Sequence, residues 1–466
     1  MSKNITKLLT AFFFCLTISF CNADELAQII SRQKQDKVII TILAIDADSG
    51  KILYQKDADK LMTPASNMKI ITSSAAIHYL GLDYKFKTKV GISDANLIVI
   101  GGGDPLLGEM KVDDANSYCP IEVFSQIADI LKRKKITNIR DIIIDVSFFD
   151  RVVMHPAWPE DNFGETYSPE ISGLNFCENC IGIFTRHKDN KVFLSIEPEN
   201  SLTALINRVK IIETGDNAVK VVRTEIPNKL IIEGEICKPV DFTMTAIQNP
   251  AALFADVLKN HLSKAGISVN GKIIIKETPG NIPNVKIIKV FKTPFKSALH
   301  RCNKYSINLT AECFVKTISA ENTVNKSGGN WPHGLSLVSE YLQSINVDKT
   351  QYILEDGSGL SRKNRLSATA LVAVLRTMYK SRDRNAFFDS LSISGVDGTI
   401  AKRFVLPPYK NNIIGKTGYL TGIISLCGLC KSEQGDIIFC VLTENANEFT
   451  SQYIDELTEA IYDRKF

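Results

Sequence analysis

The chain has 466 residues, 44% of them apolar, which is enough to fill two or three domain cores. Charges nearly balance, with 55 Lys+Arg against 51 Asp+Glu. The basic run Lys132-Arg133-Lys134-Lys135 is short and reads as a solvated helix end, so a nucleic-acid partner is excluded.

The first element is a leader. Lys3 and Lys7 precede an apolar run over residues 8–20, and Cys21-Asn22-Ala23 offers a cleavage site before Asp24. Residues 1–23 therefore read as a secretory signal peptide. The run is too short to span a bilayer comfortably, and no later stretch is long and apolar enough, so no stable transmembrane anchor is expected. Bulky Phe20 before Cys21 argues against a lipoprotein. Loss of Lys3 and Lys7 takes the formal charge from +4 to about +2. Nine of the 11 cysteines remain after cleavage, an odd number whose pairing cannot be read from spacing. Cys177/Cys180 and Cys427/Cys430 have the spacing of zinc ligands, but they lie far apart and the second pair sits in a strand pattern. Buried, unreactive thiols are the ordinary reading, and neither a metal nor a cofactor is expected.

Residues 38–45 read as a strand, Asp46-Ala47-Asp48-Ser49-Gly50 as a turn and residues 51–55 as the returning strand of a hairpin. A helix start follows. Thr63 is placed to cap it, Pro64 suits its first position, Ser66 falls at the third, and Lys69 rises one turn later on the same face. A hydroxyl, an amine and an N–H without a helical acceptor, at the positive end of a helix, suit acyl transfer to serine. The Ser-x-x-Lys pattern alone assigns nothing, because Ser31-Arg32-Gln33-Lys34 also matches, on a polar segment with no helix-start signal.

From about residue 90, short strands at 97–100 and 142–145 alternate with a helix near 121–132. Gly101-Gly102-Gly103-Asp104-Pro105 lacks the spacing and lysine of a phosphate loop and reads as a tight turn. Residues 193–275 hold many short strands and one helix, 251–265. Helical patterns run from 293 through 309–318 and 335–345. Strands return at 412–417, 423–430 and 437–442, and a closing helix over 450–462 carries Ile454, Leu457 and Ile461 on one face. Strands at both ends with helices between predict one discontinuous domain, an antiparallel sheet with helices packed on it. The middle reads as an insertion.

A Ser/Lys pair needs further groups to keep the lysine neutral, protonate a leaving amine, bind a carboxylate and complete an oxyanion hole. Tyr305-Ser306-Ile307-Asn308 offers a hydroxyl and an amide beside a helix, although Ser-x-Asn recurs at Ser268-Val269-Asn270 and Ser344-Ile345-Asn346. Lys416-Thr417-Gly418 occurs once, in an apolar strand. It provides a charge, a hydroxyl and a glycine that either permits close backbone approach or marks a bulge.

In this order, Ser-x-x-Lys, Ser-x-Asn and Lys-Thr-Gly resemble the signature set of penicillin-binding proteins and serine β-lactamases. The 240 residues from Ser66 to Ser306 make the chain similar to the class C low-molecular-mass penicillin-binding proteins, D-alanyl-D-alanine carboxypeptidase/endopeptidases. Gly102-Gly103-Asp104-Pro105, Tyr167-Ser168-Pro169-Glu170-Ile171-Ser172, Arg301-Cys302-Asn303-Lys304-Tyr305-Ser306, Asp356-Gly357-Ser358-Gly359-Leu360-Ser361-Arg362 and Gly395-Val396-Asp397-Gly398-Thr399 resemble the same family.

The resemblance implies an α+β multidomain fold: a penicillin-binding-protein/β-lactamase-like transpeptidase domain, its antiparallel sheet flanked by helices, with two nested β-rich insertions. The peptidase domain would take residues 24–89 and 280–466, the second domain 90–175 and 242–279, and the nested third 176–241. Implied roles follow. Ser66 is the nucleophile. Lys69 accepts its proton, with its pKa depressed by burial and by the charge of Lys416. Ser306 relays a proton to the leaving D-alanine, Asn308 orients Lys69 and the substrate amide, and Lys416 with Thr417 binds the terminal carboxylate. Gly418 lets the strand approach, and the N–H groups of Ser66 and Tyr419 form the oxyanion hole. The implied partners are peptidoglycan stem peptides and, as covalent inhibitors, β-lactams; the implied location is the periplasm, with loose membrane association at most.

Two positions depart from the pattern. Ile307 stands where many relatives carry Asp, a variable slot. Tyr419 stands where relatives carry Ser or Thr, which leads us to expect weaker carboxylate binding and a shift from D-alanine release toward crosslink cleavage. A β-lactamase is disfavoured by the long insertion and by the lack of an assignable Glu in the usual loop. A catalytically idle wall-binding protein is disfavoured because every hydroxyl and amine is present. No G-x-S-x-G or H-E-x-x-H motif occurs.

Overall fold

In the computed structural model, residues 25–35, 37–109, 120–280 and 282–466 are described; the segment expected to be a leader and Cys119 lie outside them. Strands Ile39–Asp46 and Ile52–Lys56 form the hairpin, and the Asp46 carboxylate ties its turn by accepting from Ser49 N (2.8 Å) and Ser49 Oγ (2.7 Å). Ile39–Asp46 also pairs along its whole length with Ile437–Glu444 from the far end of the chain. The result is one six-stranded sheet, in the order Ser392–Ile393, Ile413–Leu420, Ile423–Cys430, Ile437–Glu444, Ile39–Asp46, Ile52–Lys56.

This sheet is covered on both faces, which explains the unbroken apolar runs of its central strands. Along Ile437–Glu444, side chains alternate between two cores. Ile438, Cys440 and Leu442 join the core that holds helices Met68–Leu80 and Ala368–Lys380. Ile437, Phe439 and Val441 join the core closed by Glu25–Gln35 and Thr450–Tyr462. The same alternation separates Cys427 and Cys430, which fall in different cores on opposite faces of their strand and cannot share a ligand.

Ser31-Arg32-Gln33-Lys34 lies within the helix Glu25–Gln35, although no start signal precedes it in the sequence. Leu26, Ile29 and Ile30 bury one face of that helix, while Ser31 is exposed and donates to the Gln28 carbonyl at 2.8 Å.

The chain enters and leaves its middle region side by side. Lys85–Ser93 runs antiparallel to Lys286–Pro294, with Lys85 opposite Pro294. These strands end a five-stranded sheet ordered Ile273–Lys276, Ile142–Asp145, Asn96–Ile100, Lys85–Ser93, Lys286–Pro294. Helices Pro120–Arg133 and Pro250–Lys264 share its core, their Phe124 and Phe254 rings 5.2 Å apart. Two three-stranded sheets follow between residues 180 and 246. Gly101 to Pro105 is a loop, and its Asp104 carboxylate accepts from Leu106 N at 3.0 Å. A further segment of the middle region packs Phe149, Trp158 and Ile171 against Leu309 and Cys313 of the helix Asn308–Glu321.

Candidate active site

Ser66 sits in a 3-10 turn, Ala65–Asn67, immediately before the α-helix Met68–Leu80. The cap expected at Thr63 is absent: its N–H and hydroxyl donate instead to Glu444 Oε1 at 2.9 and 2.8 Å. A carboxylate from the last strand thus takes the hydroxyl that would otherwise cap the helix, and pins the serine turn to the sheet. Ala65 holds a left-handed φ of 48°. Gly359 packs on it so closely that a Cβ there would stand 1.8 Å from the Ala65 carbonyl oxygen.

The three-residue spacing still brings the lysine to the serine. Lys69 is fully buried, and its Nζ lies 3.0 Å from Ser66 Oγ, 2.6 Å from Asn308 Oδ1 and 2.9 Å from the Ser358 carbonyl. Burial lowers its pKa to about 8, against the opposing pull of Cys302, Glu312 and Asp356. The repulsion expected to depress Lys69 falls on Lys416 instead, which is held well below the ordinary lysine range by burial first and by Lys69 second.

Lys416 Nζ donates to Ser306 Oγ and to the Thr417 carbonyl, both at 2.9 Å. Ser306 holds a left-handed φ of 62°, and Asn308 begins the buried helix Asn308–Glu321. Asn308 Nδ2 donates to the Tyr167 carbonyl at 2.8 Å, so one of its N–H groups is already engaged by the middle region. The other Ser-x-Asn matches lie elsewhere: Ser268 on a two-residue strand pairing with Asn138–Ile139, and Ser344 at the end of helix Trp331–Ser344.

Lys416, Thr417, Gly418 and Tyr419 lie on the strand Ile413–Leu420, which pairs residue for residue with Ile423–Cys430 and has no bulge at Gly418. Gly418 is a close-approach position: a Cβ would fall 2.3 Å from Ser425 Oγ and 2.6 Å from the Pro64 carbonyl oxygen. Thr417 Oγ1 donates to Thr399 Oγ1 at 2.8 Å. Tyr419 projects outward, 72% exposed.

Sequence reasoning missed the support beneath this cluster. Buried Glu312 accepts from Gly357 N (2.9 Å), Ser358 N (2.7 Å) and Trp331 Nε1 (2.7 Å). Buried Asp356 accepts from Trp158 Nε1 (2.9 Å), Gly359 N (2.7 Å) and Ser361 N (2.6 Å). Together they shape the loop whose Ser358 carbonyl meets Lys69. Burial, then Asp356, pushes Glu312 up to about 7. The available signal was a lone carboxylate in the otherwise buried helical stretch after Asn308. Among the described residues, no group of three or more His, Cys, Asp or Glu could hold a metal.

A serine beside a buried lysine, joined to a Ser-x-Asn turn and a Lys-Thr-Gly strand, defines a serine peptidase of the penicillin-binding class. Residues 22–463 match the model of the D-Ala-D-Ala carboxypeptidase 3 (S13) family, and the chain belongs to that family. It is 25% identical over 446 residues to a D-alanyl-D-alanine carboxypeptidase of Actinomadura sp. (strain R39), covering 90% of this chain and 80% of the relative. It is 24% identical over 461 residues to the D-alanyl-D-alanine carboxypeptidase DacB of Haemophilus influenzae, covering 93% and 92%. The crystal structure of penicillin binding protein 4 from Haemophilus influenzae shares the fold, with a TM-score of 0.79, 23% identity, and 93% and 99% of the two chains covered.

Proposed function

We propose that this protein hydrolyses D-alanyl peptide bonds of peptidoglycan through an acyl-enzyme on Ser66. The observation that carries the reading is the environment of Lys69. A neutral amine has two N–H groups and one lone pair. Asn308 Oδ1 and the Ser358 carbonyl account for the two donors, which leaves the lone pair for the Ser66 hydroxyl at 3.0 Å. With a pKa of about 8, roughly a tenth of the amine is neutral at pH 7.

Ser66 Oγ attacks the carbonyl between two D-alanines, or between D-alanine and a crosslinked diamino acid, as Lys69 takes its proton. The Ser66 and Tyr419 N–H groups receive the oxyanion. Ser306, held by Lys416, passes a proton to the leaving amine, and the C–N bond breaks. Lys416 and Thr417, the latter steadied by Thr399, hold the terminal carboxylate. Water then attacks the ester carbonyl, the C–O bond to Ser66 breaks and the serine regains its proton.

The same reading assigns residues 24–89 and 280–466 to the peptidase domain, 90–175 and 242–279 to a second, and 176–241 to a nested third, with residues 1–23 removed on export to the periplasm. Separate hydrophobic cores for the end sheet and the middle region favour the split between the peptidase domain and the inserted residues. Among the described residues no helix is long and apolar enough to cross a membrane.

Labelling with a fluorescent penicillin, followed by mass spectrometry, should place the adduct on Ser66; an unlabelled protein, or a label elsewhere, would sink the assignment. On defined muropeptides, the bulky Tyr419 should make crosslink cleavage exceed D-alanine release, and equal or dominant D-alanine release would overturn that preference.

A further inference from the structure

The strand Lys85–Ser93 alternates exposed and buried residues. Lys85, Lys87 and Lys89 face out, while Phe86, Thr88 and Val90 face the core. The period of two sets the three lysines along one face, their Cα atoms about 7 Å apart. Lys292, also exposed, stands directly opposite Lys87 on Lys286–Pro294. Like charges directly opposed destabilise a strand pair. None of these four lysines has an ion-pair partner among the described residues.

Lys85, Lys87 and Lys89 line a cleft of about 850 Å³, a volume typical of a ligand site. Gly102 lines it too, and a Cβ there would stand 2.3 Å from the Lys87 carbonyl oxygen, so the glycine loop lies flush against the lysine strand. Two carboxylates also line the cleft, and each is already engaged. Asp145 pairs with Lys276 at 2.9 Å and accepts from Ser147 N at 3.0 Å. Glu321 pairs with Lys326 at 2.8 Å and accepts from Tyr84 Oη at 3.0 Å. Among the described residues the positive charge of the lysine row therefore has no ion-pair partner, and the concave, partly apolar walls focus its field.

We propose that this cleft binds the carboxylates of a peptidoglycan stem peptide other than the one being cut. The proposal rests on the reading of the substrate above. An extended peptide presents alternate side chains at the spacing of the lysine row. The wall repeats its stem peptides, so a second hold multiplies the local concentration of scissile bonds without touching the reacting atoms. The cleft is thus an exosite that favours the polymer over small soluble peptides.

The test uses the full chain carrying Lys85→Glu, Lys87→Glu and Lys89→Glu, with Lys87→Gln/Lys89→Gln as the milder variant. Binding is measured by co-sedimentation with purified sacculi, after penicillin has blocked the catalytic serine. We expect each variant to be acylated by penicillin, and to hydrolyse a soluble D-Ala-D-Ala tripeptide, as the wild type does. The charge-reversed protein should lose at least about tenfold in sacculus affinity, and wild-type binding should fall steeply with salt. Sacculi whose carboxylates have been amidated should no longer hold the wild type. Undiminished sedimentation of the folded variants, or full wild-type binding to amidated sacculi, overturns the proposal. If penicillin fails to label Ser66, the proposed function falls by itself. Sedimentation of the Ser66→Ala protein then still tests the cleft.

Discussion

Lys69 is where the chemistry and the energetics of this protein meet. Burying its amine disfavours the charged form, and in the proposed mechanism that same burial supplies a base near neutral pH. The sign is determined by which form reacts. Only neutral Lys69 can take the Ser66 proton, so penicillin acylation should rise with pH and level off above about 8. A stopped-flow profile that is flat from pH 6 to 9 would contradict this. Lys69→Ala should lower acylation about a thousandfold or more. Glu312 acts through the loop as a positioning residue, and its charge also holds the Lys69 pKa up. Glu312→Gln should therefore shift the acid limb of the profile to lower pH while reducing the plateau rate. A merely structural defect would lower the plateau without moving the limb.

At the scale of elements, the Lys-Thr-Gly strand and the serine turn are held together by the absence of side chains. Gly418→Ala puts a methyl group 2.6 Å from the Pro64 carbonyl, so the strand must move off the turn. Acylation should fall at least about a hundredfold with a modest change in melting temperature. Gly359→Ala combines a φ of +85° with contact against the Ala65 backbone and should destabilise by about 2–4 kcal/mol, read by denaturant unfolding. How legible these elements were differs by range. The hairpin, the closing helix and the apolar strand around Lys416 are announced by period and turn chemistry within a few residues. The Thr63 cap was misread because its rival acceptor, Glu444, lies 381 residues away. The helix around Ser31 carries no start signal in its polar sequence, because its buried face is covered by a helix from the other end of the chain.

Across the whole molecule, the middle region is fastened to the site itself. Trp158 Nε1 donates to Asp356 Oδ2 at 2.9 Å, Asn308 Nδ2 reaches the Tyr167 carbonyl, and Arg301 joins Glu109 and Glu178. Trp158→Phe keeps the packing and removes the bond to Asp356. It should cost about 1–3 kcal/mol of stability and reduce acylation, although residue 158 lies 92 positions from Ser66. Unchanged acylation, by gel labelling, would show that the contact is only structural.

The residue types and their order along the chain pointed to the proposed chemistry: a serine, a lysine one turn later, a second serine with an amide, and a lysine-threonine-glycine strand. That much is local, because hydrogen-bonding capacity and helix or strand period are properties of short stretches. The pKa of Lys69, the support from Glu312 and Asp356, and the placement of Lys85, Lys87 and Lys89 along one cleft were decided only by the tertiary structure. Each depends on burial or on Coulomb and hydrogen-bond contacts between segments tens to hundreds of residues apart, and no pattern within one segment records them.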